Sequence, residues 1–240
     1  MVKRNVLIVG GSGGLGSYMV KAFHNAEYDV SFTYYSNEDK AKALSNEYYA
    51  DAYRADSLCE ADIIALKEAL DEKYGKLDAL VYVAGIFEDS LTVNMTLESW
   101  NRVVATNLTA PFLYIKAMTE LLRKSGSGRF VCIGSVMGDM GTYGSCSYAA
   151  TKAGLSGLIK SVALENAKYG VTANIVSYGY IDAGMTNAVP DNVLEAAMKK
   201  IPMKHLGNPD DAAQIVVDVC SEHFSYVSGQ TIRNNGLLYV

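Results

Sequence analysis

The chain has 240 residues, of which 21 are glycine, only four are proline and half are hydrophobic. This length and composition predict a globular protein with a sizeable core, and they exclude a disordered chain, a collagen and a coiled coil. The formal net charge is -5 with both signs scattered along the chain, so the sequence predicts no surface for a nucleic acid or an anionic membrane.

Short apolar or β-branched runs alternate with longer segments of helical period along the chain. Strands are predicted at residues 5–9, 30–35, 51–54, 79–84, 129–134, 172–176 and 229–233. Helices are predicted at residues 14–25, 39–49, 60–74, 97–123, 147–169 and 209–220. The strands are separated by crossovers long enough to hold helices. The pattern predicts one α/β domain over residues 1–240, with a doubly wound parallel sheet of about seven strands and helices on both faces.

A glycine-rich run at residues 10–16 follows the first predicted strand and opens the first helical pattern. Glycine permits a tight turn and lets backbone N–H groups approach a pyrophosphate, while the helix N-terminus presents the positive end of its dipole. A plain strand-to-helix connection is the alternative interpretation. The run predicts dinucleotide contacts from Gly10, Ser12, Gly14, Leu15 and Gly16.

The end of the second predicted strand indicates which dinucleotide binds. An acidic residue at this point would bind the ribose 2′-hydroxyl of NAD. The strand instead ends in Tyr34, Tyr35, Ser36 and Asn37, and Asp29 stands at its other end. Ser36 and Asn37 can donate hydrogen bonds to a 2′-phosphate, although the segment has no arginine. We therefore predict contacts from Tyr34, Ser36 and Asn37 and favour NADP(H), with NAD(H) as the alternative; ordinary strand residues are the competing explanation for the two tyrosines.

Tyr148 and Lys152 stand one helical turn apart in the fifth predicted helix. A phenol has an ordinary pKa of about 10, and a neighbouring ammonium favours its ionised form, so such a pair suits carbonyl and alcohol chemistry. Ser135 ends the fifth predicted strand, where parallel sheets bind ligands, and Asn107 lies in the preceding helix. The structural alternatives are a strand-end cap, a helix-distorting polar residue and a surface charge, for Ser135, Asn107 and Lys152 respectively.

The order of these residues resembles the short-chain dehydrogenase/reductase family over essentially the whole chain, including the closing segment 228–233. The resemblance implies a Rossmann-type fold and a role for each residue. Tyr148 would be the general acid/base for the carbonyl oxygen, and Ser135 would bind that oxygen. Lys152 would lower the pKa of Tyr148 and hold the nicotinamide ribose. Asn107 would hold a water of the proton relay behind Lys152.

The same resemblance implies further cofactor contacts. Asp56 and Ser57 match the family's position near the adenine ring, with a helix N-cap as the competing explanation. The other implied contacts follow the fourth and sixth predicted strands: Ala84, Gly85, Gly179 and Ile181.

Several positions around the implied cofactor depart from the family pattern. Val9 stands where the family usually has threonine, and Tyr82 and Val83 replace two asparagines. Tyr178 replaces a proline, and Ala183 replaces a threonine that often contacts the nicotinamide amide. Because these departures spare the proton-transfer groups, we expect a working enzyme with unusual cofactor affinity.

The segment at about residues 184–208 is interpreted as a mobile lid that sets substrate choice. Three methionines in it suit a flexible apolar lining or helix packing: Met185, Met198 and Met203. Three lysines suit a solvated face or contact with an acidic carrier protein: Lys199, Lys200 and Lys204.

The leading hypothesis is an NADPH-dependent ketoreductase that converts a 3-oxoacyl thioester of a carrier protein or coenzyme A to the 3-hydroxyacyl form. The pattern most resembles the 3-oxoacyl-[acyl-carrier-protein] reductases. The alternatives are an alcohol dehydrogenase for a sugar, steroid or polyol and a non-catalytic cofactor-binding scaffold. An enoyl reductase is disfavoured because that group has a longer Tyr-to-Lys spacing. The resemblance also implies homodimers or homotetramers built on the helices of Asn107 and Tyr148.

Histidine and cysteine spacing predicts neither a metal site nor a disulfide framework. The histidines lack a second ligand at metal spacing: His24, His205 and His223. The cysteines are far apart and suit a reducing cytosol: Cys59, Cys132, Cys146 and Cys220. No signal peptide or membrane-spanning stretch is evident, so we expect a soluble cytoplasmic protein.

Overall fold

Seven parallel strands form one sheet in the computed structural model, which describes residues 3–240. The strands are β1 (Asn5–Val9), β2 (Asp29–Tyr34), β3 (Asp51–Arg54), β4 (Ala79–Tyr82), β5 (Arg129–Ser135), β6 (Thr172–Tyr178) and β7 (Thr231–Asn234). They lie in the order β3-β2-β1-β4-β5-β6-β7. The order reverses between β1 and β4, and sheets of this kind bind ligands there, outside the carboxyl ends of the strands.

The structure confirms the seven predicted strands and the Rossmann-type architecture. Differences at the strand ends have local causes. β4 ends at Tyr82, because the N–H groups of Val83 and Ala84 both donate to the carbonyl of Val9. β6 continues to Tyr178, because it pairs there with both β5 and β7. The predicted boundary at residue 1 lies outside the described residues.

Helices cover both faces of the sheet. They are α1 (Gly14–Asn25), α2 (Glu38–Tyr48), α3 (Glu60–Tyr74), α4 (Leu97–Val104), α5 (Ala110–Ser125), α6 (Met137–Met140), α7 (Cys146–Asn166), α8 (Asp191–Lys200) and α9 (Pro209–Cys220). Short 3₁₀ segments add Ala167–Tyr169, Gly184–Ala188 and Glu222–Phe224. Within residues 3–240, no helix combines the length and apolar character needed to cross a bilayer.

Each face of the sheet has its own apolar core. Helices α1, α2 and α9 bury their apolar stripes on one face, with side chains such as Phe23 and Val216. Helices α3, α5 and α7 do so on the other face, with side chains such as Leu70 and Tyr114. The strands between the two cores are largely buried on both sides, which explains their continuous apolar runs.

The helix predicted at residues 97–123 is interrupted in the structure. A π-helical segment, Ala105–Thr109, separates α4 from α5. The buried side chain of Asn107 in this segment is hydrogen-bonded to both the N–H and the carbonyl of Ile86. Its Oδ1 accepts from the Ile86 N–H at 2.9 Å, and its Nδ2 donates to the Ile86 carbonyl at 2.8 Å. Helical periodicity could not show the interruption, because these bonds join residues distant in sequence.

Candidate active site

A cleft of about 1010 Å³ opens at the carboxyl ends of the strands, where the strand order reverses. Every residue predicted to contact the cofactor lines this cleft: Gly10, Ser12, Gly14, Leu15, Gly16, Tyr34, Ser36, Asn37, Asp56, Ser57, Ala84, Gly85, Tyr148, Lys152, Gly179 and Ile181. Ser135 also lines it. The sequence motifs did not single out several other lining residues: Thr33, Ala55, Leu58, Ile86, Thr106 and Ile133. The volume and elongated lining suit a dinucleotide together with a small substrate.

The glycine turn at the start of α1 leaves room only for glycine. Gly10 has a φ of 88°, a conformation that favours glycine. A Cβ on Gly16 would lie 2.2 Å from the carbonyl oxygen of Gly10. A Cβ on Gly14 would lie 2.3 Å from the Cα of Gly184. The backbone can therefore approach a pyrophosphate closely, as the glycine pattern predicted.

We expect Gly14→Ala to weaken dinucleotide binding by about 10-fold, because the new methyl group forces α1 and the segment after Ala183 apart. Titration of cofactor fluorescence measures this. Gly75→Ala is a matched control: Gly75 has a φ of 67°, and nothing lies within 4 Å of the added Cβ. It should cost about 1 kcal/mol of stability without changing cofactor affinity. Equal affinities for both variants would contradict the close contact.

The carboxyl end of β2 offers hydrogen-bond donors and no carboxylate. Asn37 caps α2, because its Oδ1 accepts from the N–H of Lys40 at 3.0 Å. This bond leaves the amide NH₂ of Asn37 available to donate. Ser36 is exposed beside it.

Arg54 of the neighbouring strand β3 pairs with the carboxyl end of β2. Arg54 is the register partner of Tyr34, and it is exposed at the carboxyl end of β3. The sequence pattern missed Arg54 because the two residues are distant in sequence. Strand register is the only signal that connects them.

Asp56 organises the turn after β3. Its Oδ1 accepts from the N–H of Leu58 at 2.9 Å, and its own N–H donates to Asp62 at 2.9 Å. Cys59, and not Asp56, occupies the N-cap position of α3. The interpretation of Asp56 as the N-cap of α3 is therefore wrong. Its side chain instead stabilises the turn that precedes the helix.

Tyr148 and Lys152 lie on α7, where it faces the cleft, and the Lys152 Nζ is 5.4 Å from the centroid of the Tyr148 ring. Nζ also donates to the carbonyl of Ile133 in β5 at 2.8 Å. Ser135 ends the same strand, and its Oγ accepts from the N–H of Met137 at 3.2 Å. The structure thus brings the phenol, the ammonium and the hydroxyl to one end of the cleft.

Asn107 lies behind these groups and does not line the cleft. Besides its two bonds to Ile86, its Nδ2 lies 3.5 Å from Thr151 Oγ1 on α7. Its Oδ1 would lie 3.3 Å from a Cβ on Gly85, and Lys152 Nζ would lie 3.8 Å from the same point. The Asn107 side chain therefore joins the loop after β4 to the helix of Tyr148 and Lys152. Its part in a proton relay stays a prediction.

Burial changes the proton affinity of both groups on α7. It raises the pKa of Tyr148 to about 12, and the nearby hydroxyl of Ser135 partly offsets this rise. It lowers the pKa of Lys152 to about 8. Loss of water around the phenolate dominates, so the pKa of Tyr148 lies above its ordinary value and not below it. A lowering contribution from Lys152 stays a prediction. At neutral pH, Tyr148 is protonated and can donate.

Tyr82 and Tyr178, which stand at two positions that depart from the family pattern, use their hydroxyls for hydrogen bonds between elements of the fold. The hydroxyl of Tyr82 donates to the carbonyl of Thr106 at 2.8 Å, which joins β4 to the π-helical segment. The hydroxyl of Tyr178 donates to the carbonyl of Ala212 at 2.5 Å, which joins β6 to α9. The strand ends at the cleft are thus held by tyrosine hydroxyls. Ala183 lines the cleft with no polar group of its own on the side chain.

The predicted lid lies against the glycine turn. Its base is closed by two backbone hydrogen bonds of 2.9 Å, from Asp182 to Gly207 and from Gly207 to Tyr180. Gly184 contacts Gly14, and the methyl group of Met185 would lie 3.8 Å from a Cβ on Gly85. Met185 therefore reaches across the cleft as predicted, whereas Met198 and Met203 do not line it.

Clusters of metal-ligating side chains are absent from the described part of the chain. Among residues 3–240, no group of three or more histidine, cysteine, aspartate or glutamate side chains could hold a metal ion. The polar side chains of the cleft carry hydroxyl, ammonium and amide groups and the carboxylate of Asp56.

Comparison with known proteins agrees with this geometry. A family model described as "Enoyl-(Acyl carrier protein) reductase" matches residues 10–236. An acetoacetyl-CoA reductase of Rhizobium meliloti is 36% identical over 239 residues, with 99% of each chain covered. The 3-oxoacyl-[acyl-carrier-protein] reductase FabG of Staphylococcus epidermidis is 34% identical over 245 residues, with 100% of each chain covered. An acetoacetyl-CoA reductase of Shinella zoogloeoides is 37% identical over 237 residues, with 98% of each covered. The chain belongs to the short-chain dehydrogenase/reductase family and is an oxidoreductase of C=O and CH–OH groups.

Proposed function

We propose that the protein is an NADPH-dependent ketoreductase that reduces a 3-oxoacyl thioester, on coenzyme A or an acyl carrier protein, to the 3-hydroxyacyl thioester. The observation that carries this proposal is the protonated phenol of Tyr148 beside Ser135 at the end of a dinucleotide-sized cleft. The full-length relatives named for acetoacetyl-CoA and 3-oxoacyl substrates support the substrate class.

The residues of the cleft fit a nicotinamide dinucleotide. A Cβ at Gly14 or Gly16 would collide with the backbone of Gly184 or Gly10, so only glycine keeps this turn compact beside the cleft. Lys152 places its ammonium close to Gly85. When bound, the reduced nicotinamide supplies a hydride to the carbonyl carbon. Lys152 would hold the ribose, and the glycine turn with the N-terminus of α1 would hold the pyrophosphate.

The proton for the carbonyl oxygen comes from the chain itself. Tyr148 donates its hydroxyl proton to the oxygen as negative charge develops there, and Ser135 Oγ donates a hydrogen bond to the same oxygen. The ammonium of Lys152 stabilises the phenolate that Tyr148 becomes. Asn107 fixes the loop after β4 at Ile86, so that the cleft keeps its shape during proton transfer.

Enoyl reduction is the second candidate, because the matching family model has that description. It would require a proton at the carbon next to the thioester carbonyl, and not at an oxygen. Ser135 beside Tyr148 forms a pair of hydroxyl groups suited to one oxygen atom, which favours ketone reduction.

The test is a comparison of substrates for the purified protein with NADPH. We expect acetoacetyl-CoA to show a higher kcat/KM than crotonyl-CoA, cyclohexanol or a polyol, the last two being assayed with NADP⁺. Nicotinamide absorbance follows each reaction. Faster reduction of crotonyl-CoA would overturn ketone reduction in favour of enoyl reduction. Turnover of the alcohols alone would favour the alcohol dehydrogenase.

The preference for NADPH is supported by charge at the end of β2 and β3. The exposed Arg54 is the register partner of Tyr34 on the adjacent strand, and Ser36 and Asn37 follow Tyr34 in the chain. Glu38 opposes this charge locally, but it is paired with Lys42 at 2.7 Å. A 2′-phosphate at this strand end would meet the hydrogen-bond donors of Ser36 and Asn37, and arginine is well suited to bind a phosphate.

We expect Arg54→Gln to raise the dissociation constant of NADPH by about 10-fold while that of NADH changes by less than about 2-fold. The loss is selective because only NADPH has the 2′-phosphate. Calorimetric titration of both dinucleotides measures it without turnover. Lys124→Gln, at an exposed position of α5, is the control and should change neither constant. Equal weakening of both dinucleotides by Arg54→Gln would rule out phosphate recognition.

Exposed apolar side chains on two helices support the proposed homodimer or homotetramer. Phe112 on α5 and Leu164 on α7 are both exposed. Light scattering tests this assembly, and a monomer would contradict it.

The lysines Lys199 and Lys200 at the end of α8 support the proposed contact with an acidic carrier protein in the cytoplasm.

A further inference from the structure

An aromatic ring that the family pattern did not single out stands beside the proton donor. Phe87 lies in the loop after β4, and its ring centroid is 5.3 Å from that of Tyr148, with the ring planes at 76°. Tyr148 is buried, whereas 40% of Phe87 is exposed. The two rings thus make an edge-to-face contact, and the half-exposed Phe87 directly follows Ile86, which lines the cleft.

The backbone before Phe87 is held by the buried Asn107. Both the N–H and the carbonyl of Ile86 are bonded to the Asn107 side chain, at 2.9 and 2.8 Å. Because Asn107 is itself inside the π-helical segment, the start of the loop is attached to the helical scaffold of the site.

The residue after Phe87 is held by an ion pair. Arg102 on α4 donates to both carboxylate oxygens of Glu88, each at 2.8 Å, and Ser99 donates to Glu88 as well. These bonds lower the pKa of Glu88 to about 2. The carboxylate therefore keeps its charge at all physiological pH values, and the bidentate geometry fixes its direction.

A third attachment joins the same loop to the segment that precedes α7. The N–H of Ser90 donates to the carbonyl of Gly144 at 2.8 Å. A loop held at three points loses little conformational freedom when a ligand binds, so an apolar side chain on it contributes efficiently to affinity. The backbone on both sides of Phe87 is therefore held in place, and its ring packs against Tyr148.

We propose that Phe87 is the specificity-determining residue of the site: its ring is the wall against which the alkyl chain beyond the reacting carbonyl lies. This inference rests on the proposed function, because it takes Tyr148 to be the donor to that carbonyl. The inference narrows the substrates of the proposed function to 3-oxoacyl groups whose alkyl chain is longer than that of acetoacetyl.

The test is the chain-length dependence of the kinetics of Phe87→Ala. Kinetic constants are measured for acetoacetyl-CoA, 3-oxohexanoyl-CoA and 3-oxooctanoyl-CoA. We expect kcat/KM of the unmodified protein to rise along this series. In Phe87→Ala it should fall by about 10-fold for 3-oxooctanoyl-CoA, mostly through KM, and by less than about 3-fold for acetoacetyl-CoA.

Two control variants separate this role from a structural one. Phe87→Leu keeps an apolar side chain and should keep the rise with chain length. Tyr226→Ala removes a fully exposed aromatic ring and should change nothing. An equal loss for all three thioesters in Phe87→Ala, or no loss, would overturn the proposal.

The same variant distinguishes this inference from the proposed function. If the unmodified protein reduces no 3-oxoacyl thioester, the proposed function fails. A series of methyl ketones of increasing alkyl length then tests Phe87 alone. A chain-length trend that disappears in Phe87→Ala supports the specificity role, and a trend that persists refutes it.

Discussion

Tyr148→Phe is expected to lower kcat by about 1000-fold or more, because general acid catalysis is typically worth 10²–10⁴-fold. Tyr178 also lines the cleft, but its hydroxyl donates to the carbonyl of Ala212. The ring of phenylalanine fills the same space against Phe87, so the fold and the cleft should persist. Steady-state kinetics with acetoacetyl-CoA and NADPH measure the loss. Fluorescence titration should show a dissociation constant for NADPH within about 3-fold of the original.

Tyr143→Phe is the matched control for this variant. Tyr143 precedes α7, and 86% of it is exposed. The same chemical change there should leave kcat unaltered. A Tyr148→Phe protein that retains turnover would refute the assignment of Tyr148 as proton donor, whereas equal losses in both variants would point to a general effect of removing a hydroxyl.

Local sequence pattern predicted the elements whose ends are set by local chemistry. β1, β3, α1, α3 and α9 have the predicted bounds. The glycine turn ends β1 and begins α1, a glycine with a φ of 67° ends α3, and the side chain of Asn208 caps α9 at Pro209. Each signal acts within a few residues, so it can be read from the sequence alone.

Contacts between distant segments could not be predicted in this way. The π-helical segment exists where Asn107 bonds to Ile86, and neither helical period nor propensity reports such a bond. The same limit explains why Arg54 was missed, since its closeness to Tyr34 follows from strand register. The glycine motif showed that Gly14 must be small, but the structure shows that Gly184 is the neighbour that requires it.

The chemistry of the site was also only partly readable from residue types. A Tyr–Lys pair on one helix face suggested a lowered pKa for the phenol, yet both groups are buried. Burial disfavours the charged form of each group, so the pKa of Tyr148 rises and that of Lys152 falls. The amount of burial depends on how β5 and the loop after β4 cover α7, and this is a property of the fold.

The burial of Lys152 leads to a second large effect, in which activity and stability change in opposite directions. Lys152→Met is expected to lower kcat/KM by about 100-fold or more, because the phenolate loses its ammonium neighbour and the ribose its donor. The same change should stabilise the fold by about 2 kcal/mol at pH 7, because a buried ammonium is replaced by an apolar side chain of similar length. Kinetics with acetoacetyl-CoA and urea unfolding at pH 7 measure the two effects.

The stability gain of Lys152→Met should depend on pH in a definite direction. The pKa of Lys152 is about 8 in the folded protein and 10.5 ordinarily, so between these values the unfolded chain binds more protons than the folded one. The unmodified protein therefore gains stability as pH rises through this window, and the penalty of Lys152 is fully present below it. The advantage of Lys152→Met should shrink between pH 7 and pH 10, while Lys160→Met, at an exposed position of α7, should show no such trend. An advantage that is absent at pH 7, or that does not change with pH, would show that the ammonium of Lys152 is not destabilised by burial.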